Sequence, residues 1–181
     1  MSINDSAPMA RLPILIVPDP VLRKISRPVE RVDEAVRRLL DDMVQSMIEG
    51  KGIGLAAIQV ARPLRLIVTH LEEDEAPAQT LKLVNPEILW RSNEERVYEE
   101  GCLSLPDQTA EVARPARVRV RYVDEHGELR EREAEGLLAT CLQHEIDHLD
   151  GVLFIDYLSA VKRNIIVRKL KKAQRTAAVR A

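Results

Sequence analysis

Aromatic side chains are scarce in this sequence: one Trp, three Tyr and one Phe make up 3% of 181 residues. A core must then be assembled from Leu, Ile, Val and Ala, which fill space without offering polar edges. Only two cysteines occur, Cys102 and Cys141. They are too few for a disulfide framework, so neither has a disulfide partner, and free thiols suit a reducing compartment. No apolar run approaches the ~20 residues that span a bilayer, and the polar first nine residues lack the apolar stretch of a secretory signal. The expectation is a cytoplasmic protein with no membrane contact. A net charge of −2 gives the chain as a whole no bias toward polyanions.

What is present is ordinary for a globular chain: 45% hydrophobic and 31% charged residues. The length suits one domain over residues 1–181, with residues 1–11 as a flexible leader. From Asp33, a helix N-cap, the apolar residues Val36, Leu39, Leu40, Met43, Val44, Met47 and Ile48 recur at helical spacing up to Gly50. Residues 64–71 alternate as a strand. Residues 81–90 form another, broken at Asn85-Pro86, where proline marks an edge or a bulge. Arg117, Arg119 and Arg121 alternate with Val118, Val120 and Tyr122, and Glu131, Glu133 and Glu135 alternate beyond a turn at Gly127. A five-residue loop sets Arg121 opposite Glu131 and Arg119 opposite Glu133, whereas an even loop sets Arg against Arg. The odd loop is therefore predicted. Ser159 caps a last helix whose predicted apolar stripe is Val161, Ile165, Ile166, Leu170 and Ala173. The fold class that follows is α+β, with antiparallel sheets packed around a buried helix and a C-terminal helix outside them.

That buried helix carries Gln143-His144-Glu145-Ile146-Asp147-His148. Residues four apart share a helix face, so His144 and His148 can turn imidazole nitrogens toward one metal ion. Glu145 lies about 100° further round and reaches the open side of the ion without ligating it. A catalytic divalent metal usually takes three protein ligands and keeps a position for water. Cys141 precedes His144 by a turn, but residues 141–148 cover roughly 10.5 Å of helix axis, too long for three ligands to converge. The third ligand is expected from Cys102, in Gly101-Cys102-Leu103-Ser104-Leu105-Pro106, where Gly and Pro mark a strand end entering a loop. A thiolate with two imidazoles suits iron(II), zinc, nickel and cobalt alike.

Three segments, Gly52-Ile53-Gly54-Leu55-Ala56-Ala57-Ile58-Gln59, Glu100-Gly101-Cys102-Leu103-Ser104 and Gln143 to His148, together resemble the motifs of the peptide deformylase family, in the same order. They are spread over about half the chain, and residues 14–20 and 151–157 are also similar to the family. Ile58 stands where the family more often has a small or polar residue, and Thr109 where it often has a larger one. The resemblance implies a hydrolase that removes the N-formyl group from the N-terminal methionine of newly made polypeptides and releases formate. It implies one divalent ion, iron(II) above all, on Cys102, His144 and His148. Glu145 would then take a proton from water and pass it to the leaving amine. The Gln59 side chain and the Leu103 backbone N–H would face the oxyanion. Ile53, Gly54 and Leu103 would hold the peptide, and Cys141 would line the methionine pocket. Arg114 would hold Glu100 and so fix the Cys102 loop.

Other readings compete at particular residues. Gly52-Ile53-Gly54 as a phosphate cradle lacks the strand and the Lys-Ser/Thr that complete such a motif. His70 and His126 read as surface or turn residues. From Lys162 to Arg180 there are eight Lys or Arg and no acid. The default reading is a solvated face, and the sharper one is contact with RNA or a ribosome surface. A zinc metallopeptidase shares the His-Glu-x-x-His motif, but no third His or Glu follows at its spacing. A binding protein with a structural metal has no use for Glu145 and usually has four protein ligands.

Overall fold

The computed structural model describes residues 10–71 and 77–180. The expected leader lies outside the described residues except for its last two, and these are tied down. The Ala10 N–H donates to Asp42 at 2.8 Å, and Arg11 pairs with Glu49 at 3.4 Å.

Among the described residues, three α-helices and seven strands follow in the order α1 (Glu34–Glu49), β1 (Gly54–Ala56), β2 (Leu66–Leu71), β3 (Gln79–Arg91), β4 (Glu95–Cys102), β5 (Leu105–Pro115), β6 (Arg117–Val123), β7 (Leu129–Glu135), α2 (Gly136–Leu149) and α3 (Ala160–Arg180). Short 3₁₀ turns occupy Pro20–Arg23, Ala57–Val60 and Phe154–Tyr157. Asp33 caps α1 as predicted, accepting the Val36 N–H at 3.0 Å, and Leu40, Met43 and Met47 are fully buried beneath it.

The strands form a five-stranded antiparallel sheet, β1-β2-β3-β6-β7, and a separate β4-β5 hairpin. β3 is central, so Pro86 sits at a bulge, where the pairing with β6 shifts between Val84 and Glu87. Asn85 takes a φ of 51° there. Its side chain bonds both the N–H and the C=O of Val29 at 2.8 Å, which anchors the distortion. The β6-β7 loop has the predicted parity: Arg121 lies opposite Glu131 and Arg119 opposite Glu133. Arg119 pairs with Glu133 at 2.7 Å, while Arg121 turns to Glu87 on β3 at 2.8 Å.

Helix α2 is buried nearly all round, polar residues included: Leu142 and Leu149 have no exposure, and His148 has 1%. It packs against strands of both sheets, with Ile58, Ile67, Val118 and Val120 in its core cluster. This is the arrangement expected for the fold class. Ile58, with no exposure, fills that core with an apolar side chain. Helix α3 corrects the predicted stripe. Ile166 and Leu170 are buried, but Val161 is 70% and Ile165 47% exposed. The helix docks one side only, with Val167 beside Phe154 and Leu105 in the same cluster. No helix among the described residues is long and apolar enough to cross a membrane.

Candidate metal centre

β4 ends at Cys102, and the chain reverses through Leu103 and Ser104 into β5. That reversal aims the Cys102 thiol at the middle of α2, where His144 and His148 share a face one turn apart. The ligand atoms of Cys102, His144 and His148 lie within 4.8 Å of one another. Cys102 Sγ is 3.2 Å from His148 Nε2, and the two imidazoles meet edge to face with centroids 4.9 Å apart. Burial, then the neighbouring His144 and Arg114, push the His148 pKa well below an ordinary imidazole. The ring is therefore neutral, the form that ligates metal. Donor set and spacing together fit a divalent transition ion.

Behind the ligands stands a buried chain of charges. Arg114, from β5, makes a two-pronged contact with Glu100 of β4, Nε to Oε1 at 2.5 Å and Nη2 to Oε2 at 3.0 Å. Glu100 Oε2 also accepts from His144 Nδ1 at 2.8 Å, which leaves Nε2 of that ring as the ligating atom. Burial alone would raise the Glu100 pKa, but the hydrogen bonds from His144 and Arg114 outweigh it and hold the carboxylate ionised. The remaining Arg114 nitrogen donates to Asp147 at 2.7 Å and approaches the Tyr157 hydroxyl at 3.3 Å.

The expected site residues gather around one cavity of about 470 Å³, lined among others by Ile53, Gly54, Gln59, Leu103, Cys141 and Glu145. Glu145 is 4% exposed, and its Oε2 has no hydrogen-bond partner. Burial is the main cause that raises its pKa, to about 7. Gly54 has a role the sequence reading did not assign: a Cβ there would collide with the Glu145 carboxylate and stand 2.8 Å from Cys141 Sγ. The glycine makes room for a side chain of this protein as well as for anything entering from outside. Gln59 is 1% exposed. Its Oε1 accepts the Ala56 N–H at 2.8 Å, while Nε2 donates to Ser104 Oγ at 3.0 Å and Cys102 Sγ at 3.4 Å. Its amide therefore joins the 3₁₀ turn to the Cys102 loop. Cys141 points at the Ile53 carbonyl, 3.6 Å away. Burial, then Glu145 and Glu100, keep this thiol protonated by raising its pKa well above the usual value.

His70 and His126 stay away from the centre, His70 bonding Thr80 at 2.7 Å and His126 lying 74% exposed in its turn. Thr109 lines the cavity rim. Three neighbours escaped the sequence reading: Ser104, Asp147 and Tyr157. Ser104 and Asp147 lie inside motifs and carried a signal by position alone. Tyr157 is ten residues past Asp147, and only the packing of the Phe154–Tyr157 turn brings its hydroxyl to 2.8 Å from that carboxylate.

A buried carboxylate next to a cysteine and two histidines that could hold a metal ion, beside one cavity, is the donor set of a metal-dependent hydrolase. Comparison with known proteins narrows the class. Residues 11–164 match the family model of polypeptide deformylase. The peptide deformylase of Mesorhizobium japonicum is 60% identical over 161 residues, covering 88% of this chain and 91% of that one. That of Rhizobium meliloti is 54% identical over 169 residues, 93% of this chain and 97% of the other. A crystal structure of peptide deformylase from Ehrlichia chaffeensis superposes with a TM-score of 0.90 at 40% identity, covering 93% of this chain and 99% of that one. The chain belongs to the polypeptide deformylase family, metal-dependent hydrolases that remove N-formyl groups from peptides.

Proposed function

We propose that the chain acts on the formyl-methionyl end of nascent polypeptides, with Cys102, His144 and His148 holding one iron(II) ion and Glu145 as the catalytic base. The observation that carries this reading is the Glu145 carboxylate, buried beside the three ligand atoms with Oε2 unbonded and a pKa of about 7. When bound, a divalent cation polarises a carbonyl oxygen and makes a neighbouring water more acidic. Glu145 accepts a proton from the water that adds to the formyl carbon. A C–O bond forms, and the C–N bond breaks as Glu145 returns the proton to the departing amine. Formate and a free α-amino group result. A base that titrates near neutrality can both take and return that proton.

The Leu103 backbone N–H and the Gln59 amide are proposed to face the developing oxyanion. Gln59 Nε2 already sits 3.4 Å from Cys102 Sγ. Ile53, Gly54 and Leu103 are proposed to hold the peptide, and Cys141 to line the methionine pocket. Arg114, through Glu100, is proposed to fix the Cys102 loop. Residues 1–181 are read as one catalytic domain, because α2 packs against strands of both sheets while α1 packs on β1 and β2 and α3 on β5. A cytoplasmic site of action follows from the substrate. The basic exposed side of α3 is proposed as a contact with the ribosome, whose RNA would meet its Lys and Arg side chains.

The test is formate release from a formyl-Met dipeptide by protein loaded anaerobically with iron(II), beside a Glu145→Ala variant. Release that vanishes in the variant is expected. No release with one equivalent of metal bound would overturn the reading, and cleavage of unformylated peptides instead would make the chain a metallopeptidase.

A further inference from the structure

The two histidine ligands are not held alike. His144 Nδ1 is bonded to Glu100 at 2.8 Å, whereas His148 Nδ1 is buried with no partner among the described residues. Whatever orients His144 therefore has a large share in setting the geometry of the centre. Glu100 does not act alone, because both of its carboxylate oxygens are also bonded to Arg114. It is held by the planar guanidinium of Arg114, and that plane needs a second anchor at its other edge.

The second anchor is Asp147 with Tyr157. Asp147 Oδ2 receives hydrogen bonds from Arg114 Nη1 at 2.7 Å and from the Tyr157 hydroxyl at 2.8 Å. The Tyr157 ring lies 4.6 Å from Arg114 Cζ and covers its face. One segment, the 3₁₀ turn Phe154–Tyr157, thus grips the ligand twice. Tyr157 acts along the chain of hydrogen bonds, and Phe154 stacks on the His144 ring, with centroids 6.1 Å apart and an interplanar angle of 25°. Tyr157 is 51% exposed, so its hydroxyl gives up little core packing energy by being there, and its bonding is the more telling.

We infer that Asp147 and Tyr157 are positioning residues for the metal ligand His144, acting through Arg114 and Glu100. The inference rests on Cys102, His144 and His148 being the ion site. Neither residue belongs to the three-ligand group or lines the cavity. Their removal loosens the imidazole while leaving all three ligands in place.

The test uses the full chain loaded with cobalt(II), whose visible absorption reports ligand geometry. Tyr157→Phe keeps the ring over Arg114 and removes only the hydroxyl, and Asp147→Asn removes the charge at constant shape. The expected results are an altered cobalt band and faster loss of cobalt to a chelator. The increase should be about tenfold for Asp147→Asn, at the low end of what outer hydrogen-bond partners of metal ligands contribute, and smaller for Tyr157→Phe. The kcat on a formyl-Met peptide should fall at unchanged KM, and Asp147→Glu should recover part of both. A folded Tyr157→Phe with the wild-type spectrum and release rate would overturn the tyrosine's part, even if Asp147→Asn failed to fold. Wild-type release from Asp147→Asn would overturn the aspartate's part. A wild-type chain that binds no cobalt would remove the ion site itself and the inference with it.

Discussion

Gly54 leaves open the space that the Glu145 carboxylate occupies. The strand and the helix approach so closely that any side chain at 54 would meet Glu145 and Cys141. A Gly54→Ala protein is therefore expected to fold, because β1 is a short edge strand, but to carry a displaced base. Displacement by about 1 Å of a catalytic group can cost on the order of 10²-fold in rate. Steady-state assay with thermal unfolding checks this: kcat should fall by about that factor while the midpoint moves by only a few degrees. An unchanged kcat would mean that the carboxylate has room to spare.

The Arg114–Glu100 pair is buried, both side chains being 4% exposed. Removing one partner leaves an uncompensated charge, which costs roughly 3–5 kcal/mol. Urea unfolding of Arg114→Ala should show a loss of that size. The double variant with Glu100→Gln should be less unstable than the sum of the two single changes, since no buried charge is left alone.

On α3 the two sides differ. Leu170 is 3% exposed and packs in the cluster around Phe154, whereas Val161 is 70% exposed. Leu170→Ala should destabilise by about 2–4 kcal/mol and Val161→Ala by no more than about 0.5 kcal/mol. Denaturant titration of both variants separates the docked side from the outer side.

Asp156 ties the Phe154–Tyr157 turn to the Pro20–Arg23 turn through Arg23, at 2.5 and 3.1 Å, and accepts the Leu153 N–H at 2.9 Å. Burial alone would raise its pKa, but the Arg23 and Leu153 hydrogen bonds lower it below 3.8. A lowered folded-state pKa means that the stabilisation is complete above the unfolded value and is lost as pH falls through the folded one. The pair is partly exposed and screened, so about 1 kcal/mol or less is at stake. Thermal unfolding of Asp156→Asn should lie about 2–4 °C below wild type at pH 7, and the gap should close below about pH 4. A gap that persists in acid would assign the effect to packing.

Much of the architecture was legible because its causes are local. The Asp33 cap, the apolar spacing of α1 and the parity of the β6-β7 loop depend on residues that are near in sequence, and the structure has each of them where predicted. The strand break at Asn85-Pro86 was legible for the same reason. Its resolution as a bulge was not, because a residue's place at the edge or centre of a sheet depends on strands far along the chain. The α3 stripe failed on the same ground. Val161 and Ile165 obey helical spacing with Ile166 and Leu170, but the apolar residues of α3 are spread over a broad arc, and only the Phe154 cluster decides which of them dock.

The candidate site divides in the same way. His144 and His148 share a helix face by spacing alone, Glu145 stands about 100° round from His144, and the loop chemistry around Cys102 marks a place where a thiol can be aimed. The sequence by itself pointed to that trio and to Cys102 beside it, and the structure brings Cys102, His144 and His148 together. Tertiary structure decided what surrounds them: Glu145 in the space left by Gly54, Glu100 bonded at once to Arg114 and His144, and Tyr157 closing the far end of that chain. Periodicity places side chains on a face. Only the packing of two sheets and a turn against one helix brings together groups tens of residues apart, and there burial and hydrogen bonds together set their charge.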